Sequence, residues 1–140
     1  MSTSTINVQP AVAAAGRVLL GALFLVSGVG KVFAPAMIQG YIASVGLPFP
    51  SLVYAITVVI EVGAGASLLV GFRTRLMAGV LAAFTVVAAL IFHSALGDPN
   101  QFVQFLKNLA IAGGLVHIAA VGAGAFSLDG YTVGGRRSPA

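Results

Sequence analysis

The chain has 140 residues, of which 59% are hydrophobic and 7% charged. A water-soluble domain of this size carries about a quarter charged residues over its surface, so lipid is the solvent that fits this composition. The formal charge of +4 and pI near 10.2 do not indicate nucleic acid. The basic residues are scattered through apolar segments and read as topology signals and contacts to anionic lipid. The sequence has no cysteine, which excludes thiolate nucleophiles, disulfide exchange, cysteine-ligated Fe–S clusters and covalently attached c-type haem in this chain.

Met1 to Pro10 is polar and lacks Lys and Arg, unlike the basic start of a secretory signal. Ala13-Ala14-Ala15 precedes the apolar run where a cleavage site would follow it. The first apolar segment, about 11–33, is therefore read as a retained span. Three more spans follow at about 51–70, 76–97 and 102–122. Each is long enough to cross roughly 30 Å at about 1.5 Å per residue. The second contains Glu61, the third contains only His93 among ionisable residues, and the fourth contains Lys107.

Between the first two spans, Met37, Ile38, Tyr41, Ile42 and Val45 share one helical face, and Gly46-Leu47-Pro48-Phe49-Pro50 breaks the pattern. This predicts a short helix lying in the interface, with a structureless loop as the alternative. Beyond Gly124 the chain is glycine-rich and ends in Arg136-Arg137-Ser138-Pro139-Ala140; a flexible tail is expected over about 130–140. The expected architecture is all-α: one integral-membrane domain over 1–140, a four-helix bundle with a short interfacial helix between spans one and two. The side holding both termini and the second loop has Arg17, Arg73, Arg75, Arg136 and Arg137, and the other side has Lys31 and Lys107. That asymmetry places both termini in the cytoplasm.

Ionisable groups within a span need a partner or a water-lined cavity. Counted from the outer boundary at about 1.5 Å per residue, Lys31 and His93 lie roughly 5 Å down, Lys107 and Asn108 roughly 10 Å and Glu61 roughly 15 Å. Arg17 and His117 lie near the inner boundary. Arg17, Gly21, Phe24, Gly28 and Lys31 form a stripe on the first span; Tyr54, Thr57, Glu61, Gly65 and Leu68 on the second; Gln104, Lys107, Ile111 and Gly114 on the fourth. If these stripes face one another, Glu61 meets Lys107, with Lys31 second in line and His93 and Asn108 above them. Two meanings stay open: a buried ion pair that fixes helix register while Lys31 snorkels to the headgroups, or a polar pocket open to the outer half. Arg17 is expected to anchor on lipid phosphate, with Asp129 as the alternative partner. His93 and His117 are separated by roughly 20 Å at about 1.5 Å per residue, too far to ligate one haem between them. No nucleotide-binding loop or hydrolase motif is present, and no metal site is expected.

A series of motifs runs along the chain: Gly16-Arg17-Val18-Leu19-Leu20-Gly21, Phe24 through Lys31, Gly46-Leu47-Pro48, Glu61-Val62-Gly63-Ala64-Gly65, Leu68-Leu69-Val70-Gly71, Arg75, Lys107-Asn108-Leu109 and Ser127-Leu128-Asp129. In their order and spacing they resemble the DoxX family of small four-span bacterial membrane proteins. The resemblance implies the bacterial inner membrane and a family described as oxidoreductases, with relatives resembling subunits of quinone-linked enzymes or members of assemblies with soluble redox enzymes. No electron carrier is legible in these residues, so the resemblance implies a quinone, or a soluble or membrane redox partner, to carry electrons. This chain would supply the pocket (Lys31, Glu61, His93, Lys107 and Asn108), with Glu61 and His93 as candidate proton carriers. A non-catalytic anchor or assembly partner is the other reading, a small-molecule exporter a weaker third, and a homo-oligomer is left open.

Overall fold

The computed structural model describes residues 9–135. Helix α1 spans Gln9–Val32, α2 Pro35–Ser44, α3 Pro50–Val70, α4 Thr74–Phe92, α5 Pro99–Val121 and α6 Leu128–Gly135. Four of them, α1, α3, α4 and α5, are long and apolar enough to cross a membrane. The expected short helix between the first two spans is α2.

Helix boundaries follow local chemistry. Prolines 35, 50 and 99 open α2, α3 and α5, where the missing N–H has no intrahelical acceptor to lose. Asp98 caps α5 by accepting from the Asn100 N–H at 2.8 Å. Gly71, at φ +73, closes α3 in the left-handed region. The third span stops at Phe92, five residues before the expected 97, because His93 leaves helical geometry and Ala95 and Asp98 turn toward α5. Within the stretch expected as a flexible tail, residues up to Gly135 belong to α6, and the rest, with Arg136 and Arg137, lies outside the described residues.

The spans pack in two close pairs, α1 on α3 and α4 on α5, with α3 also touching α4. On α1 the buried positions are Arg17, Gly21, Phe24 and Gly28, the stripe that the sequence spacing predicts. Its glycines are needed for the approach. A Cβ on Gly21 would sit 2.7 Å from the Leu69 backbone N, and one on Gly28 would sit 2.9 Å from Glu61 Cβ. The apolar core, built on Phe24, Ala64, Leu68, Leu81, Leu115 and Ile118, fills the half of the bundle nearer the termini. The opposite half, under α2, holds a cavity.

Candidate functional site

The cavity has a volume of about 340 Å³. Its apolar wall includes Phe24, Phe84, Phe92, Leu23 and Ile111, and its polar lining includes Ser27, Lys31, Thr57, Glu61, His93 and Asn108. Helix α2 covers it through Ile38, Tyr41 and Ile42. Ile42 is 2% exposed, and the Tyr41 ring stacks on Phe92 with centroids 5.4 Å apart. Ser51 Oγ donates to Gln39 Oε1 at 2.7 Å, tying α2 to the start of α3.

Within the lining, Lys31 and Glu61 form an ion pair. Lys31 Nζ donates to Glu61 Oε2 at 2.8 Å and Oε1 at 3.1 Å, and to Ser27 Oγ at 2.7 Å. Glu61 is 5% exposed, so its charge is compensated by a partner held in place. The Tyr54 hydroxyl donates to the Lys31 carbonyl at 3.1 Å, binding α3 to the end of α1. Glu61 sits in a π-helical turn, Ile60–Ala64, inside α3. Such a turn widens the helix locally and recurs at functional sites in proteins.

Lys107, the partner favoured by sequence, does not make this bond. It is exposed and has no hydrogen-bond or ionic partner among the described residues. Two physical reasons account for the correction. The buried face of α5 runs through Ala112, Leu115 and Ile118, with Asn108 half-buried in line with it. Lys107 is one residue, about 100°, off that face. Side chains also lean toward the N-terminus of their helix. Lys31 on α1 leans into the bundle toward Ser27, Glu61 on the antiparallel α3 leans to meet it, and Lys107 leans away toward the α2 end. Lys31 therefore does not snorkel to headgroups.

The other sequence-selected residues divide. His93 caps the end of α4, and its Nδ1 lies 2.8 Å from Gln101 Oε1. Asn108 Nδ2 donates to Gln104 O at 3.0 Å; its Oδ1 and the Thr57 hydroxyl have no partner among the described residues. Of the five expected pocket residues, the cavity brings together Lys31, Glu61, His93 and Asn108 and leaves out Lys107. His117 is exposed near the other end of α5. Among the described residues no three His, Cys, Asp or Glu side chains gather as a metal site.

Sequence reasoning missed how the termini end is built. Arg17 is 3% exposed and is not a lipid anchor. Its Nη1 donates to the Leu68 and Leu69 carbonyls at 2.8 Å each, and Nη2 to Phe126 O at 2.6 Å. These include carbonyls in the last turn of α3, the groups a helix end leaves free. Asp129, the alternative partner, interacts electrostatically with Arg17 but spends its oxygens elsewhere: Oδ1 accepts from Arg73 N at 2.9 Å and Oδ2 from Thr74 N at 2.8 Å. It caps α4 from a remote part of the chain. Burial pushes the Asp129 carboxyl upward, but the N–H groups of Thr74 and Arg73 together with the Arg17 charge outweigh it and hold the group below its ordinary value.

Four spans, with an ion pair set in the wall of a roofed cavity at one end, define a small multi-pass membrane protein. The DoxX sequence profile matches residues 12–94, and the chain belongs to the DoxX family. It is 36% identical over 113 residues to the inner membrane protein YqjF of Escherichia coli (strain K12), spanning 81% of this chain and 85% of that one. It is 35% identical over 127 residues to the inner membrane protein YphA of the same organism, spanning 86% and 90%. By this likeness it is a multi-pass protein of the inner membrane. No solved structure matches the chain.

Proposed function

We propose that this protein is a quinone-linked oxidoreductase or the membrane subunit of one, with the cavity under α2 as the head-group site. The observation that carries the reading is the Lys31–Glu61 pair, its carboxylate buried, set in the wall of an aromatic cavity of about 340 Å³. Ligand cavities start at about 300 Å³ and combine apolar walls with a few placed polar groups. Phe84, Phe92 and Tyr41 offer flat walls to a ring, and Asn108, Thr57 and His93 offer partners to its oxygens.

A bound quinone would supply the electron-accepting chemistry. This chain's own residues bind and orient the ring, exclude water beneath α2 and move protons, with Glu61 and His93 as the carriers. Glu61, ionised in its pair with Lys31, first takes up a proton and then passes it to a ring oxygen, and His93, on the same cavity lining, is the second carrier. Electrons arrive from a soluble or membrane redox partner. In this reading both termini are cytoplasmic and the α2 end faces outward. Arg73 and Arg75, with Arg136 and Arg137, weight the termini side, although Arg17 is absorbed into the protein. Reporter fusions after Val70 and Pro48 should read cytoplasmic and external respectively.

Purification in native lipid particles, followed by mass spectrometry of extracted lipids and proteins, tests the function. The expected result is quinone enriched over its share of the bulk membrane. Quinone at bulk level, together with stoichiometric soluble redox enzymes, would instead identify a non-catalytic anchor.

A further inference from the structure

We infer that the cavity is filled sideways from the bilayer, through a slot between α1 and α5, and that its ligand is a quinone with a long apolar tail, not a tail-less one arriving from water. This rests on the quinone reading and adds to it the route and the ligand class.

Two independent features lead there. The first is the roof. The end of the cavity nearest water is covered by Ile42, which is 2% exposed, and by the Tyr41–Phe92 stack. The Gln39–Ser51 hydrogen bond holds α2 against α3 at that end.

The second is the seam. Helices α1 and α5 touch only lightly, and one close point is Leu20 against Gly114, where an added Cβ would lie 3.3 Å from Leu20 Cδ1. One turn toward the α2 end from that point lie Leu23 on α1 and Ile111 on α5, and both line the cavity. Leu23 is nevertheless 45% exposed. Tyr41, 47% exposed, also borders the cavity, but its ring is held in the stack on Phe92, whereas Leu23 stands at a lightly packed seam and faces the hydrocarbon of the bilayer. Helix α5 is the least covered of the four spans, so its edge is free to form one side of the slot.

Size then selects the ligand. About 340 Å³ holds a ring head but not a chain of several isoprenoid units. A tailed quinone fits if its head lies against the Lys31–Glu61 pair and its tail leaves between Leu23 and Ile111 into lipid. Nothing polar among the slot residues opposes that: Leu20, Leu23, Ile111 and Gly114 are apolar or small.

The test uses the full-length protein in lipid nanodiscs with a quinone analogue whose photoreactive group sits on the tail a few carbons from the ring. Crosslinks that natural tailed quinone competes away should map to α1 and α5 around Leu23 and Ile111. Leu23→Trp, which fills the slot from its lipid side, should lower them about tenfold. Competable crosslinks on α2 at Ile38 and Tyr41, undiminished in Leu23→Trp, would overturn the side route and leave the quinone reading standing. Labelling that excess quinone does not compete away anywhere in the protein would overturn both. The crosslink map of the unmodified protein decides between the routes even if Leu23→Trp folds poorly.

Discussion

At the termini end of the bundle, the buried cation Arg17 is bound to three backbone carbonyls; at the α2 end, the cation Lys31 is bound to a carboxylate and a hydroxyl beside an open cavity. Both lie on the same stripe of α1, fourteen residues apart, and both lean toward the start of that helix. Their surroundings separate them. Around Arg17 the backbones close in: Gly21 against Leu69, and Gly71, at φ +73, beneath Ser127 and the Arg17 guanidinium. Around Lys31 there is unfilled space, a π turn, and polar atoms on Asn108 and Thr57 that nothing in the described residues satisfies. A buried charge bound to three main-chain carbonyls holds elements together, even with its Nε and the nearby Thr74 hydroxyl left without a partner among the described residues. One that faces a cavity is what the proposed ligand site rests on.

That contrast is broken most severely at the termini end. Arg17→Met strands the carbonyls of Leu68, Leu69 and Phe126, and the expected cost is about 3–5 kcal/mol. Thermal unfolding in nanodiscs should show a large drop or no folded protein. A melting temperature within a few degrees of the unmodified protein would mean that the Arg17 contacts do not hold this end together.

The Lys31–Glu61 pair should behave differently. Lys31→Met alone leaves a buried carboxylate and is expected to cost about 3 kcal/mol, whereas Lys31→Met with Glu61→Gln should recover most of that loss. Simple addition of the two single losses would show that the residues do not interact.

Much of this was legible before the structure. Four spans, the short helix α2 between the first two and the α1 stripe follow from composition and from spacings of three and four. Glu61 stood out because a carboxylate inside a span needs a reason. Its partner was harder to read. Cα depth and a face drawn through Gln104, Lys107 and Ile111 favoured Lys107. The true face of α5 lies one residue further on, and the lean of antiparallel helices brings Lys31 inward. The π turn had no signal in an apolar run. Nor could spacing show that Asp129, 55 residues beyond Thr74, caps α4, since long-range capping leaves no periodic trace.

Asp129→Asn sharpens the comparison by weakening the termini end mildly. Loss of a charged cap should cost about 1 kcal/mol. Because the folded-state carboxyl titrates below its ordinary value, its contribution is present above about pH 3.9, the unfolded value, and is lost as pH falls through the lower folded one. The stability gap between the two proteins should be constant from neutral pH to about 4 and close below that. A gap that persists unchanged at lower pH would show that the carboxylate charge is not what stabilises the cap. The smallest effect belongs to Lys107→Met: exposed and unpaired, it should change stability by less than about 0.5 kcal/mol and leave ligand binding unaltered. A loss comparable to that of Lys31→Met would restore Lys107 to the site.

The central claim is that the α2 end is a ligand site and the termini end a scaffold. Its most direct test is quinone affinity in nanodiscs for the Lys31→Met/Glu61→Gln double variant, measured beside its melting temperature. The two replacements nearly keep side-chain size while removing both charges. The account predicts a melting temperature within a few degrees of the unmodified protein and affinity reduced at least about tenfold, equivalent to about 1.4 kcal/mol. Unchanged affinity in a well-folded double variant would contradict it, and would return the Lys31–Glu61 pair to a purely structural role.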